Sequence, residues 1–112
     1  MDDLIKKVRE FAEEREWDQF HSPKNLSMAL SVEAAELMEH LQWLTEDQSR
    51  RPDEKLLARI KEEIGDVQIY LARLADQLGI DPMEAAHTKL KRNEIKYPLE
   101  KAKGSAKKYD EL

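Results

Sequence analysis

The chain of 112 residues contains no cysteine, three glycines, four prolines and only 6% aromatic residues. The lack of cysteine excludes a disulfide framework, a thiolate metal site and a cysteine nucleophile. So few turn-forming residues argue against a β-sandwich or barrel, which needs a turn about every 8 to 12 residues. No apolar run approaches the roughly 18 residues of a membrane-spanning helix, and no signal-peptide pattern is present, so we expect a soluble, cytoplasmic protein without a membrane partner.

Charge is what the sequence has in abundance. Charged residues make up 38% of the chain and apolar residues 40%, a mixture typical of amphipathic helices around one core. The net charge of -5 disfavours a nucleic acid polymer or an anionic membrane as partner. The two signs are segregated, because residues 1–88 carry 11 basic and 20 acidic side chains (net -9) and residues 89–112 carry 8 and 4 (net +4).

The spacing of apolar residues predicts four helices, at about residues 2–17, 23–44, 53–78 and 82–98. Their ends are marked by residues that cap helices, namely Ser22, Asp53, Gly79 and Asp81. The predicted fold class is all-α, a four-helix bundle formed by residues 1–98. Residues 99–112 form a basic arm that is either mobile or ordered by a ligand or a neighbouring subunit.

Two of these helices carry an apolar seam with steps of three and four residues, typical of coiled-coil packing. The seams consist of Leu30, Ala34, Leu37, Leu41 and Leu44 in the second helix and of Leu57, Ile60, Ile64, Val67, Leu71, Leu74 and Leu78 in the third. We expect both seams to lie in the core. One residue before each seam runs a mixed stripe, made of Glu33, Glu36, His40 and Trp43 in the second helix and of Arg59, Glu63, Asp66, Tyr70 and Arg73 in the third. Antiparallel packing through the seams would bring four carboxylates together.

These carboxylates, Glu33, Glu36, Glu63 and Asp66, admit two interpretations. Carboxylates that border an apolar seam repel one another and lose hydration, and a divalent cation relieves both costs. An all-oxygen ligand set suits Mg²⁺, with Mn²⁺ as a substitute. Alternatively, the four side chains are solvated helix edges that pair with basic neighbours. Composition and periodicity weigh the two interpretations equally.

Two further groups of side chains suit a nucleotide. Aromatic rings near helix ends can stack on a base, and these are Trp17, Trp43 and Tyr70. The last helix offers hydrogen-bond donors for phosphate oxygens at Lys89, Asn93 and Tyr97. Taken alone, each group is better explained structurally, the rings as covers for the ends of the bundle and the last helix as a solvated basic face.

Six motifs spread along the chain point to one family. They are EEREWDQFHSPKNL at 13–26, EAAE at 33–36, QW at 42–43, EEIGDVQIYL at 62–71, KRNEIKYP at 91–98 and GSAKKY at 104–109. In these motifs the chain resembles the MazG-like all-α nucleoside triphosphate pyrophosphohydrolases, and within them the dCTP pyrophosphatase branch. The resemblance covers nearly the whole chain.

The resemblance implies Mg²⁺-dependent hydrolysis of a (deoxy)nucleoside triphosphate, with dCTP or a modified dCTP as the expected substrate, to the monophosphate and pyrophosphate. It implies that the four carboxylates hold the metal and that Glu33 or Glu36 polarises the attacking water. It places around the substrate Trp17, His21, Lys24, Trp43, Tyr70, Lys89, Asn93 and Tyr97. It also implies a homodimer or homotetramer.

One departure from the pattern concerns the base. In vertebrate relatives a histidine is expected three residues before the position of Phe11, whereas this chain has Val8. The preference for cytosine therefore stays open. Two other functions stay open as well: a non-catalytic helical oligomerisation or binding module, and a dUTP-type diphosphatase of related fold.

Overall fold

The computed structural model describes all 112 residues and contains helices and turns but no strand. The helices are α1 (Asp2–Glu14), α2 (Pro23–Glu39), α3 (Glu46–Arg50), α4 (Glu54–Gln77), α5 (Pro82–Lys96) and α6 (Leu99–Ala102), followed by a single 3₁₀ turn at Tyr109–Glu111. The prediction of an all-α chain with four long helices is confirmed. None of the helices combines the length and the apolar character needed to cross a lipid bilayer.

The predicted capping residues set the helix boundaries. The Ser22 hydroxyl and the Asp53 carboxylate each accept a hydrogen bond from the backbone N–H three residues on, at 3.1 and 2.8 Å. Asp81 caps α5 in the same way. Gly79 has a φ of 67°, the left-handed conformation that a glycine adopts without steric cost, and it ends the helical turn after α4.

Helix α1 ends three residues earlier than the apolar pattern predicts. Glu16 adopts a left-handed conformation with a φ of 56°, which is uncommon for a residue that carries a side chain. The chain then turns back, and the N–H of Trp17 donates to the carbonyl of Ala12 at 2.9 Å. This reversal is why the helix stops at Glu14 and why Trp17 lies close to α1.

Helix α2 is also shorter than predicted, since it ends at Glu39 and not at Leu44. The polar connection expected after it contains the short helix α3. Its start is a capping box, in which Thr45 and Gln48 exchange side-chain and backbone hydrogen bonds at 2.9 and 3.1 Å. Local polar residues therefore form a helical turn where the sequence suggested only a loop.

The chain forms two compact units, Met1–Ile80 and Asp81–Leu112. In the first unit both α2 and α1 pack against α4. Its fully buried apolar side chains are few and mostly small: Ala12, Leu26, Ala72 and Ala75. The core of the first unit is therefore thin for its length.

In the second unit the arm contacts the end of α5. The Tyr109 ring meets the Tyr97 ring edge to face at a centroid distance of 6.3 Å, and the Lys96 ammonium lies 5.0 Å from the Tyr109 centroid. The boundary predicted between a helical domain and the arm, at residues 98 and 99, lies inside this unit.

The seam of α4 is only partly buried, so the expectation that it forms core is wrong for every second member. The exposed fractions are 54% for Leu57, 45% for Ile64, 38% for Leu71 and 52% for Leu78, whereas Ile60, Val67 and Leu74 are half-buried. In α2, Ala34 is exposed as well. The reason is that α1 and α2 cover one side of this seam and leave the other. We call Leu57, Ile64, Leu71 and Leu78 the exposed stripe.

Candidate active site

Three of the four carboxylates expected to meet lie together. Glu33 and Glu36, one turn apart on α2, and Glu63 on α4 each place a carboxylate oxygen within 4.8 Å of the other two. All three are half-buried. Asp66, one turn further along α4, is half-buried but is not a member of this set. We call Glu33, Glu36 and Glu63 the acidic cluster.

The acidic cluster is electrostatically unfavourable as it stands. Burial, together with the neighbouring Glu36 and Glu63, raises the pKa of Glu33 to about 7. Oε2 of Glu33 and Oε2 of Glu63 are buried without a hydrogen-bond partner. The His40 imidazole approaches from the end of α2, with Nε2 at 3.5 Å from Oε1 of Glu63.

These features fit a divalent cation. Buried polar atoms ordinarily have hydrogen-bond partners, and a cation would satisfy the two buried carboxylate oxygens that have none. The ligands are all oxygen atoms, as hard cations such as Mg²⁺ and Mn²⁺ prefer. The first unit thus contains an acidic cluster with the chemistry of a cation site.

The same cluster predicts how the metal-free protein responds to pH. Glu33 titrates near 4.5 when unfolded and near 7 when folded. Between these values the native state binds more protons than the unfolded state, so the free energy of unfolding falls as the pH rises through this range. Thermal melts in EDTA, from about pH 5 to about pH 8, should show this loss.

The control for this pH dependence is a pair of variants on α2. Glu33→Gln removes the titrating group and should flatten the melting temperature across this range. Glu39→Gln changes an exposed residue of the same helix and should leave the wild-type slope. An unchanged slope in Glu33→Gln would show that another group causes the dependence.

A small cavity of about 80 Å³ lies between α1, the connection after it and α4. Its walls are Val8, Phe11, Ala12, Trp17, His21, Ile69, Tyr70 and Arg73. The Trp17 ring meets Phe11 and His21 edge to face, at centroid distances of 5.5 and 5.9 Å. Three predicted substrate residues from separate segments of the chain, Trp17, His21 and Tyr70, therefore share one cavity. We call it the aromatic cavity.

The aromatic cavity and the acidic cluster are linked through α4. Glu63, Asp66, Tyr70 and Arg73 follow one another at steps of three or four residues, so they lie on one side of the helix. The first belongs to the acidic cluster and the last two line the cavity. A ligand whose polar end meets the carboxylates can therefore place a flat ring one or two helical turns away.

The Arg73 side chain is the main feature that sequence reasoning missed. It is 3% exposed, and its Nε donates to Nδ1 of His21 at 3.1 Å. Its terminal nitrogens contact the carboxylates of Asp18 and, at 3.4 Å, Asp76. Asp76 in turn accepts two hydrogen bonds from Arg9, at 2.6 and 2.9 Å. One signal was available, since Arg73 continues the stripe that contains Glu63, Asp66 and Tyr70.

Two predicted site residues of the first unit do not line the aromatic cavity. Trp43 is 86% exposed and does not line it, and Lys24 is exposed in the first turn of α2. The second unit contains the remaining three, which are Lys89 and Asn93 on α5 and Tyr97 directly after it. Repulsion from the neighbouring Lys96 lowers the pKa of Lys89, a sign of a concentrated positive charge on this helix.

Known proteins are similar to this chain in sequence and in fold. Residues 28–112 match the MazG-like family. The chain is 40% identical over 116 residues to dCTP pyrophosphatase 1 of Rattus norvegicus and to that of Homo sapiens, in each case over 100% of this chain and 67% of the relative. A crystal structure of a pyrophosphatase from Archaeoglobus fulgidus matches with a TM-score of 0.82 and 42% identity, over 88% of this chain and 92% of that chain.

The fold and the site thus define an all-α protein with an acidic cluster suited to a cation. The chain belongs to the MazG-like family. The resemblance inferred from its motifs, including the likeness to the dCTP pyrophosphatases, is confirmed.

Proposed function

We propose that this protein, a nucleoside triphosphate pyrophosphatase by its relationship to the dCTP pyrophosphatases, requires Mg²⁺ and cleaves dCTP or a modified dCTP to the monophosphate and pyrophosphate. The observation that carries the proposal is the acidic cluster with its two partnerless buried oxygens, in a chain related along its whole length to these enzymes. A cytoplasmic location is part of the proposal, because nucleotide pools are the expected target.

Four carboxylates would hold the cation: Glu33, Glu36, Glu63 and Asp66. When bound, Mg²⁺ neutralises phosphate oxygens and makes a water more acidic. The negative charge of Asp66 repels that of Glu33 and so helps to raise the pKa of Glu33. Glu33 or Glu36 is the residue that would polarise the attacking water, since both belong to the acidic cluster.

The nucleoside half of the substrate has its own residues. Trp17 and Tyr70 offer flat rings in the aromatic cavity, and His21 lines the same cavity. Val8 contributes an apolar wall where vertebrate relatives are expected to have a histidine, so the base preference has to be measured. The remaining contacts to sugar and phosphates are assigned to Lys24, Trp43, Lys89, Asn93 and Tyr97.

A homodimer or homotetramer completes the proposal. The exposed stripe places four large apolar side chains at seven-residue intervals along α4 and its C-cap, the spacing by which one helix packs against another. The thin core of the first unit gives a further reason, since a small chain stabilises itself by burying apolar surface against a second copy. Leu57, Ile64, Leu71 and Leu78 are therefore proposed as subunit contacts.

A nucleotide panel tests the function. The protein is incubated with each deoxynucleoside and ribonucleoside triphosphate, with 5-methyl-dCTP and with dUDP, in Mg²⁺ or in EDTA, and the products are separated by ion exchange. We expect dCTP or the modified dCTP to give the monophosphate and pyrophosphate, and EDTA to stop the reaction, because the cluster lacks its cation.

The panel also separates the alternatives. No product from any nucleotide would contradict the proposal and favour the non-catalytic oligomerisation or binding module. Selective turnover of dUTP, together with dUDP, would favour the dUTP-type diphosphatase. Turnover in EDTA at the full rate would overturn the metal requirement.

A further inference from the structure

We propose that Arg73 is a positioning residue that commits His21 to donate a hydrogen bond from Nε2 to the nucleoside held in the aromatic cavity. The ligand named here rests on the proposed function. The contact between Arg73 and His21 does not, because it is a feature of the protein alone.

The direction of the hydrogen bond between the two side chains fixes the histidine tautomer. A guanidinium carries only donors and keeps its proton at any ordinary pH. The His21 Nδ1 that faces Nε of Arg73 at 3.1 Å must therefore accept, and it carries no proton. A neutral imidazole then holds its single proton on Nε2, which is the ring's one remaining hydrogen-bonding atom.

Burial and the charge of Arg73 favour the neutral form of the His21 ring. Burial and the positive charge of Arg73 lower the pKa of His21, and Asp18 offsets only part of this effect. Asp18 comes from the same connection as His21, while Asp76 reaches Arg73 from α4 and Arg9 reaches Asp76 from α1. Arg73 is thus paired with the carboxylates of Asp18 and Asp76, and Asp76 is paired with Arg9 as well. His21 is the uncharged partner of Arg73.

The same contacts hold the connection after α1 in place. Arg73 is 3% exposed and contacts Asp18 and His21, each of which lies more than 50 positions away from it in the chain. Trp17 directly precedes Asp18 in the chain, and its ring packs against the His21 ring. Arg73 therefore sets the position of the segment that contains Trp17, as well as the tautomer of His21.

This arrangement has a consequence for recognition. A ring that offers only an N–H reads an acceptor, such as a base carbonyl oxygen or an unprotonated ring nitrogen, and cannot accept from an exocyclic amino group. Cytosine presents both kinds of group. The inference is that His21 contacts an acceptor of the base, and that the amino group is read elsewhere or left in solvent.

The test combines nuclear magnetic resonance with kinetics. Long-range ¹⁵N–¹H spectra of the full chain, recorded well above the ordinary histidine pKa of about 6.5, report which ring nitrogen carries the proton. The His21 signal is assigned with the variant His21→Gln. We expect the Nε2–H tautomer in the wild type. In Arg73→Met, Nδ1 loses its donor, and we expect a mixture of both tautomers.

The kinetic readout separates positioning from simple loss of stability. With the nucleotide that the panel selects, Arg73→Met should raise KM about tenfold, the cost of about one hydrogen bond, while kcat changes much less. Arg59→Met is the matched control, since Arg59 is exposed on the same helix, and it should keep the wild-type spectrum and KM. Arg73→Lys preserves the charge beside Asp18 and Asp76 but lacks Nε, so it should fold and still show mixed tautomers.

Each outcome decides one part of the inference. A wild-type His21 with its proton on Nδ1, or a wild-type tautomer in both Arg73 variants, would overturn the contact. A shifted tautomer with an unchanged KM would overturn the role in binding the nucleoside. If the wild type hydrolyses nothing in the panel, the proposed function fails and the nucleoside contact fails with it, while the spectra still decide whether Arg73 fixes His21.

Discussion

Replacing Glu36 by glutamine should lower the rate of nucleotide hydrolysis by about a thousandfold, because a bound metal supplies several kcal/mol of transition-state stabilisation and each 1.36 kcal/mol is a factor of ten. The substitution keeps the size and shape of the side chain but removes one of the three charges of the acidic cluster. The proposed cation would then lose a ligand. Initial rates of pyrophosphate release in saturating Mg²⁺ give the measurement.

The same variant should be no less stable than the wild type in EDTA. Its missing charge relieves the repulsion that helps to raise the pKa of Glu33, so the metal-free melting temperature should stay the same or rise. Glu39→Gln on the exposed side of α2 is the control and should leave both rate and melting temperature unchanged. If the Glu36→Gln enzyme retained a tenth or more of the wild-type rate, the loss of transition-state stabilisation would be no more than about 1.36 kcal/mol. Glu36 would then not be a ligand of the metal.

The second large effect concerns the exposed stripe. The double variant Ile64→Asp with Leu71→Asp should convert the proposed oligomer into a monomer. Both side chains are already exposed in the single chain, so the carboxylates cost little there, whereas an apolar interface would have to bury two unpaired charges. We expect the free energy of association to become less favourable by several kcal/mol. Each 1.4 kcal/mol raises the dissociation constant about tenfold.

Sedimentation velocity at matched concentrations measures this change. Lys55→Asp places a carboxylate at an exposed position of α4 outside the stripe and should leave the molecular mass of the wild type. A wild-type protein that sediments as a monomer would contradict the proposed assembly. A double variant that keeps the oligomeric mass would assign the interface to another surface.

Local rules in the sequence predicted a good part of the fold. Caps act within one helical turn, which is why Ser22, Asp53 and Asp81 could be recognised without knowledge of the rest of the chain. The acidic cluster was predictable for a similar reason. Its members lie one residue before an apolar seam, so the register of two helices is enough to bring Glu33 and Glu63 to a shared edge.

Other features could not be predicted because they depend on distant or unusual contacts. The end of α1 rests on a positive φ at Glu16, and no glycine marks that position. The hydrogen bonds of Arg73 span 52 residues to His21 and 55 to Asp18, a separation at which periodicity carries no information. The exposure of half the α4 seam was missed because a seam shows which residues seek a partner and not whether that partner belongs to the same chain.

The connection before α2, at residues 15–22, and the segment at residues 45–53, which contains α3, differ in how freely their length can vary. Residues 15–22 are tied to both neighbours, through the backbone bond from Trp17 to Ala12 and through the reach of Arg73 to Asp18 and His21. An added residue there would carry the Trp17 ring away from the cavity. The connection at residues 45–53 has only local hydrogen bonds, such as those between Thr45 and Gln48, and lengthening a loop costs little entropy. Insertions and deletions in related proteins are therefore expected after α2, and a tag or reporter peptide is best placed there.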